Sequence, residues 1–399
     1  MADYIKLKKG LDVPMVGAPQ PVIKKNVISE VIALKPTDFR HVTPRLLVRE
    51  GDSVKAGTPI FADKANPEIL FTSPVSGVVS EVIRGEKRKL LEIRIKADKE
   101  IDYIKYELPK ADEISREEAI DALKKSGLWA CFVQRPYGII PNPQVEPKAI
   151  FISGFDSAPA APDYDYSLKS DFEFVQTAIN VLNKICKGGV HFGLCATHRN
   201  STPFHKLKNL KFHTFDGKYP ASNVGVQIHH VAPVNKGEVV WTVQLPLLAA
   251  IGKLFDKGIY DVKRTIAITG PRATFPCYVT AIAGMAIKDI VEFVSAEADA
   301  KQSYQKDCGV RYVSGNVLTG KNVGIDGFLG FYDHQVTLLT EGNYYEGLGW
   351  AKIFRQKKFS LSKTYFSWLT PKKQYAMDTN MNGGERAFVM GSYYEKVLP

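Results

Sequence analysis

The chain has 399 residues, 45% hydrophobic and 24% charged, and its 53 Lys+Arg against 42 Asp+Glu give a net charge of +11. These values exclude a disordered or fibrous chain and imply about two to four domains, since single cores stop growing near about 250 residues. The basic excess fits a solvated face turned to an acidic partner or an anionic membrane rather than nucleic acid, because Lys and Arg are scattered apart from short runs at 87–89 and 357–358.

The first residues, MADYIKLKKG, lack the apolar core of a secretory signal. Up to about residue 97 the pattern is short strands and turns, with VREGDSVKAGTPIF at 48–61 and FTSPVSGVVSEV at 71–82. Gly51–Asp52, Gly57 and Gly77 stand where turns need unusual backbone angles. The segment 1–100 resembles the barrel-sandwich of biotinyl and lipoyl carrier domains. Those carriers hold a lysine eight residues before the proline of the return strand; counting back from Pro74 gives Asn66, which has no amine for an amide bond. Lys64 is two residues out of register, so no biotin is expected.

Between 101 and 257 strand-like and helix-like runs alternate, the signature of βαβ units and of a Rossmann-like α/β domain. Helices are predicted over 115–125 and 171–187, and strands over 149–152, 189–195 and 239–243. The apolar run 243–251 is broken by Gln244 and Pro246 and is far short of the roughly 20 residues of a membrane span, so it reads as a buried element. No GxGxxG occurs, and Gly188, Gly189 and Gly193 have the wrong spacing for a phosphate loop; they read as the end of the preceding helix. His191, Cys195, His198, His205 and His213 lack a second matched ligand pair and read as surface residues, not a zinc site. His229 and His230 are placed on opposite faces of a strand. Asp156, Asp163 and Asp165 read as a solvated acidic loop.

From 258 to 343, strands at 262–269 and 274–282, a helix at 285–296, and strands at 310–314 and 334–339 suggest a small β-grasp (SLBB-like) domain. GNVLTGKN at 315–322 approaches a Walker loop but ends in Asn322 where a magnesium-binding hydroxyl belongs, and reads as a β-turn. Residues 344–399 form a β-rich tail. The five cysteines (Cys131, Cys186, Cys195, Cys277, Cys308) form no CxxC pair, which argues against a disulfide scaffold, a zinc ribbon or an iron–sulfur cluster.

KKGLDVPMVGAP at 8–19, the sandwich motifs, SGLW at 126–129, FLGFYDHQVTLLTEG at 328–342 and NGGERAFVMGSYYEKVLP at 382–399 occur in this order. Together they closely resemble the NqrA family, the A subunits of the sodium-translocating NADH:quinone reductases. The resemblance implies a peripheral protein on the cytoplasmic face of the bacterial inner membrane. Its partners would be the B to F subunits, chiefly the membrane-embedded B subunit, in a complex that couples NADH oxidation and quinone reduction to Na⁺ export. The family continues past EKVLP into a short helical region that this sequence does not include.

The family is also similar to the complex I flavoprotein subunit, which follows its Ser-Gly-Leu with a glycine-rich loop against FMN. Here Ser126–Gly127–Leu128 is followed by WACFVQRPYGIIP, in which only Gly138 is a glycine. Trp129, Phe132 and Arg135 put side chains where bare backbone would be needed, so neither FMN nor NADH is expected in this chain. An autonomous flavin- or NADH-binding enzyme, and the C-type subunit of a related ferredoxin:NAD⁺ reductase with its CxxCxxC runs, are therefore the weaker alternatives. Quinone sites pair aromatic walls with one or two polar donors. Two sets fit: Phe132, Arg135, Pro136 and Tyr137; and Phe39, Arg40 and His41 between Pro36 and Pro44. For each set, packing at a domain or subunit interface is the favoured plain reading.

Overall fold

The computed structural model describes residues 3–197, 201–294, 309–342 and, with gaps, 344–381. The carrier-like segment forms two facing sheets. Val31–Leu34, Leu90–Ala97, Gly77–Arg84 and Ser53–Val54 make one, in that spatial order; Pro44–Leu46, Pro59–Asp63 and Leu70–Thr72 make the other. Ile32, Phe61, Phe71, Val79, Ile93 and Ile95 are buried between them, because alternate residues of a strand share a face. Phe61 and Phe71 lie opposite each other on neighbouring strands and stack with centroids 4.4 Å apart.

A six-stranded sheet forms the second domain, ordered Asp3–Lys6, Lys211–Asp216, Val190–Cys195, Ile150–Ser153, Val240–Val243, Phe132–Arg135. All neighbours are parallel except the last pair. The chain adds two strands on one side of Ile150–Ser153 and then crosses to its other side, so the strand order reverses there. Along that strand Ile150 and Ile152 face the core that holds Val175 and Ile179 of helix Phe172–Ile185, while Ala149 and Phe151 meet Ile228 of helix Val224–Val231. The run at 243–251 opens helix Leu245–Lys257, with Pro246 in its first turn where a missing N–H costs nothing. A Cβ on Gly252 would lie 1.8 Å from the Phe174 carbonyl oxygen, so only glycine lets these helices approach so closely. The helix predicted over 115–125 is Arg116–Ser126, started by a Ser115/Glu118 capping box.

The third sheet runs Lys321–Asn322, Val310–Ser314, Gln335–Thr340, Arg264–Thr269, Cys277–Ala281, Ile23–Asn26. Residues 315–320 form the hairpin turn between its first two strands, in which the Asn316 side chain accepts from the N–H groups of Leu318 and Thr319. The expected helix at 285–296 is described as Ile287–Val291, and its last two positions lie outside the described residues.

Three features depart from the sequence reading. His229 and His230 sit on helix Val224–Val231, not a strand. The strand Lys211–Asp216 has no counterpart among the predicted elements. The amino-terminal residues are also shared out: Asp3–Lys6 joins the second sheet and Ile23–Asn26 the third, before the chain enters the sandwich.

Candidate functional site

The segment after Gly127 begins where the sandwich docks on the α/β domain. Gly127 caps the helix Arg116–Ser126 with φ of 84°, and a Cβ there would lie 2.5 Å from the Thr72 hydroxyl, which donates to the Ser126 carbonyl at 2.7 Å. The chain then turns into the core. Trp129 and Phe132 are fully buried with Trp241, at centroid distances of 5.1, 5.3 and 5.7 Å, and the Trp129 indole N–H donates to the Pro141 carbonyl at 2.9 Å. Beyond strand Phe132–Arg135 a tight turn closes, in which Gly138 N–H donates to the Gln134 carbonyl and Gln134 N–H to that of Ile139. Pro136 and Tyr137 stand on this turn in solvent, Tyr137 72% exposed.

The second predicted group lies beside the first. Phe39 is buried, its ring 4.6 Å from Phe71, 4.9 Å from Phe331 and 6.0 Å from Tyr332, whose hydroxyl donates to the Ala130 carbonyl at 2.6 Å. Arg40 and His41 are exposed, His41 with φ of 61°. A Cβ on Gly138 would lie 3.5 Å from Arg40 Nη1, which places Arg40 against the turn. The two predicted groups thus meet where Arg40 lies against the turn that carries Arg135, Pro136 and Tyr137, forming one lip, while Phe39 and Phe132 belong to the core. Arg135 is depressed below the usual guanidinium range by burial first and by Arg40 second, and its Nε is buried without a hydrogen-bond partner. No carboxylate forms an ion pair with either arginine among the described residues.

Behind this lip lies a polar junction of all three domains that sequence reasoning missed. Arg264 is buried and donates to the carbonyls of Gly330, Phe331 and Asp333 at 3.2, 2.7 and 3.0 Å. Asp38 accepts from Phe331 N–H at 2.9 Å, and His334 meets the Gln244 amide oxygen at 2.7 Å, so Nε2 carries the proton. Burial pushes the Cys131 thiol up to about 12, raises the Asp333 carboxyl and lowers His334 well below its usual range. A void of about 20 Å³ lies between Phe39, Cys131, Tyr260 and Arg264, room for roughly one water. The available signal was a charged residue opening the apolar strand RTIAIT.

Two clefts of about 440 and 370 Å³ flank the carboxyl ends of the parallel strands, lined by Asp12, Asp156, Asp163, Asp165 and Asp216. Asp156 is half-buried and burial raises its carboxyl, which corrects the reading of a wholly solvated loop. His191 and His213 are likewise buried, not on the surface, with Nδ1 and Nε2 2.9 Å apart. His198 and Cys308 lie outside the described residues, and no metal-holding group of three or more His, Cys, Asp or Glu occurs among the described ones. In the sandwich, Asn66 sits half-buried in the turn between Pro59–Asp63 and Leu70–Thr72, with Lys64 exposed beside it.

Fold and site define a chain built from a barrel-sandwich and a second α/β domain, with no helix among the described residues long and apolar enough to cross a membrane. Residues 5–98 match the family described as "NqrA N-terminal barrel-sandwich hybrid domain" and 114–260 that described as "NqrA second alpha/beta domain". The chain is 34% identical over 398 residues to the A subunit of the Na⁺-translocating NADH-quinone reductase of Yersinia pestis bv. Antiqua (99% of this chain, 86% of that one). It is 33% identical to that of Neisseria meningitidis over the same shares of each chain. An air-oxidised NAD⁺-reducing [NiFe]-hydrogenase shares 13% identity over 58% of this chain and 47% of that one at a TM-score of 0.38, too loose to carry an argument. The chain belongs to the NqrA family, the A subunits of the Na⁺-translocating NADH-quinone reductases.

Proposed function

We propose that this chain is the peripheral A subunit of a Na⁺-translocating NADH:quinone oxidoreductase, held on the cytoplasmic face of the bacterial inner membrane chiefly by the membrane-embedded B subunit and assembled with the C to F subunits. Its task is to support quinone access and assembly while the complex carries the redox chemistry. The finer fold reading is a Rossmann-like second domain, supported by the strand order that reverses at Ile150–Ser153, and a β-grasp (SLBB-like) third domain.

Two features support the view that FMN and NADH belong elsewhere in the complex. Trp129 and Phe132 fill the space after Gly127 as core residues. The crevice at the strand ends is lined by carboxylates, which repel phosphate. The residues present do not fit either cofactor, and Asn66 does not fit biotin.

The observation that carries the quinone reading is the buried, partnerless Nε of Arg135 beside Arg40. A buried donor left unpaired is costly, and a ubiquinone or menaquinone carbonyl admitted by a shift of the exposed turn at Pro136 and Tyr137 would satisfy it. Tyr137 and Pro136 offer an exposed face for the ring, and the buried Phe39 and Phe132 anchor the two segments to the core. In the assembled complex, Arg135→Gln is expected to raise KM for quinone about tenfold, the worth of one charged hydrogen bond. An unchanged KM and kcat would overturn this placement.

A further inference from the structure

A second surface feature of the sandwich is a basic groove. A groove of about 510 Å³ opens between strand Pro44–Leu46, the turn at Lys64 and the hairpin joining Gly77–Arg84 to Leu90–Ala97. Five cations line it: Arg45, Lys64, Arg84, Arg88 and Lys89. Leu46 and Leu90 make part of its floor, and no Asp or Glu is in its lining.

Several cations of the sandwich are neutralised by a nearby carboxylate, whereas those of the groove are not. Elsewhere in the sandwich Lys35 pairs with Asp38, Lys55 with Asp102 at 2.8 Å, and Arg94 with Glu81 at 2.9 Å. None of the five forms an ion pair among the described residues; Arg84 reaches only the Arg88 carbonyl, at 3.4 Å. The nearest acid in the turn, Asp63, is committed to the N–H groups of Thr43 and Ala65. Five like charges held around one concavity repel one another, an arrangement that gains most from an external anion.

We infer that this groove binds the phosphate headgroups of an anionic phospholipid surface and so seats the sandwich on the membrane. This deepens the membrane-side placement proposed above and rests on it. A folded-on acidic peptide is the poorer occupant. The exposed edge of the groove is a three-residue strand that begins with Pro44, which has no N–H to offer an added strand. Exposed basic side chains over an apolar floor instead suit a diffuse layer of phosphates, to which each Lys or Arg adds a comparable increment.

The test uses the full chain and sedimentation with phosphatidylglycerol or phosphatidylcholine vesicles. The chain is expected to partition onto the anionic vesicles only, and less so as salt rises. Arg45→Glu, Lys64→Glu and Arg88→Glu together should cut that partition at least roughly tenfold, by removing and reversing contacts within a Debye length of the surface. Lys99→Glu, Lys206→Glu and Lys236→Glu make the same change in net charge outside the groove and should cut it less than about twofold. Equal losses in the two triple variants, or full binding by the groove variant, would overturn the proposal. Displacement by inorganic phosphate at constant ionic strength, or by polyglutamate as readily as by vesicles, would overturn the lipid assignment in favour of a soluble anion or an acidic protein. None of these outcomes bears on quinone KM in the Arg135 variant, so the two readings fail separately.

Discussion

The turn at residues 64–69 and the segment at 129–141, the two places where the sequence departs from the cofactor-carrying proteins it resembles, are built in different ways. At the turn Asn66 is half-buried and Lys64 exposed, so the hairpin is left open at the surface. In the second segment the space itself is gone, because Trp129 and Phe132 are packed against Trp241 with none of their surface in solvent. The first change is chemical and leaves an open surface that a new charge pattern can use. The second is volumetric, and it couples the segment to the core so that what remains at the surface is Arg135, Pro136 and Tyr137. Sites vacated by chemistry stay malleable, whereas sites filled by packing become structural.

That contrast makes graded expectations. Trp129→Ala should cost about 3–5 kcal/mol, the usual range for emptying a large aromatic site in a core, read as a lower thermal midpoint or denaturant midpoint. A variant of unchanged stability that gained FMN-dependent stabilisation would break the contrast, because it would show the segment to be a plug in a preserved cofactor cavity. The junction behind the segment adds a pH signature. His334 is held neutral by burial, so between its lowered folded value and the unfolded value near about 6.5 the unfolded chain binds a proton that the folded chain refuses. Stability should therefore fall as pH drops through about 6.5 and recover above it, and His334→Asn, which cannot titrate, should flatten that slope. A slope that survives the substitution would assign the acid sensitivity elsewhere. The smallest effect belongs to the turn: Asn66→Lys should change stability by less than about 0.5 kcal/mol, as expected for a half-exposed turn position whose only side-chain contact among the described residues is a long one to Asp63. A large loss there would show that Asn66, through its contact to Asp63, is structural after all.

Much of the fold was legible because it rests on local signals. The Ser115/Glu118 box, the period of helix Phe172–Ile185 and the apolar strands Ile150–Ser153 and Val240–Val243 all state their own conformation. What escaped depends on pairing between distant residues. Asp3–Lys6 is polar enough to read as a tail, and becomes a strand only because Lys211–Asp216 offers it an edge. His229 and His230 carry no period of their own, and their helix is fixed by the Asn223 cap and by Ile228 reaching Phe151. At the site, residue type pointed to Arg40, Arg135 and Tyr137, but could not say that the two segments meet, nor that Phe39 and Phe132 would be core, not wall. Arg264 was missed because its partners are main-chain carbonyls, which leave no mark in a sequence.

The quinone placement is tested most directly by photo-crosslinking of a quinone analogue in the intact complex, with labelled peptides mapped by mass spectrometry. Label is expected on the lip formed by Arg40 and residues 135–138, lost in Arg135→Gln and reduced in Tyr137→Ala, with Phe132→Ala acting only through lowered stability. Label that falls wholly outside this lip, or that is unchanged in the Arg135 and Tyr137 variants, would contradict it.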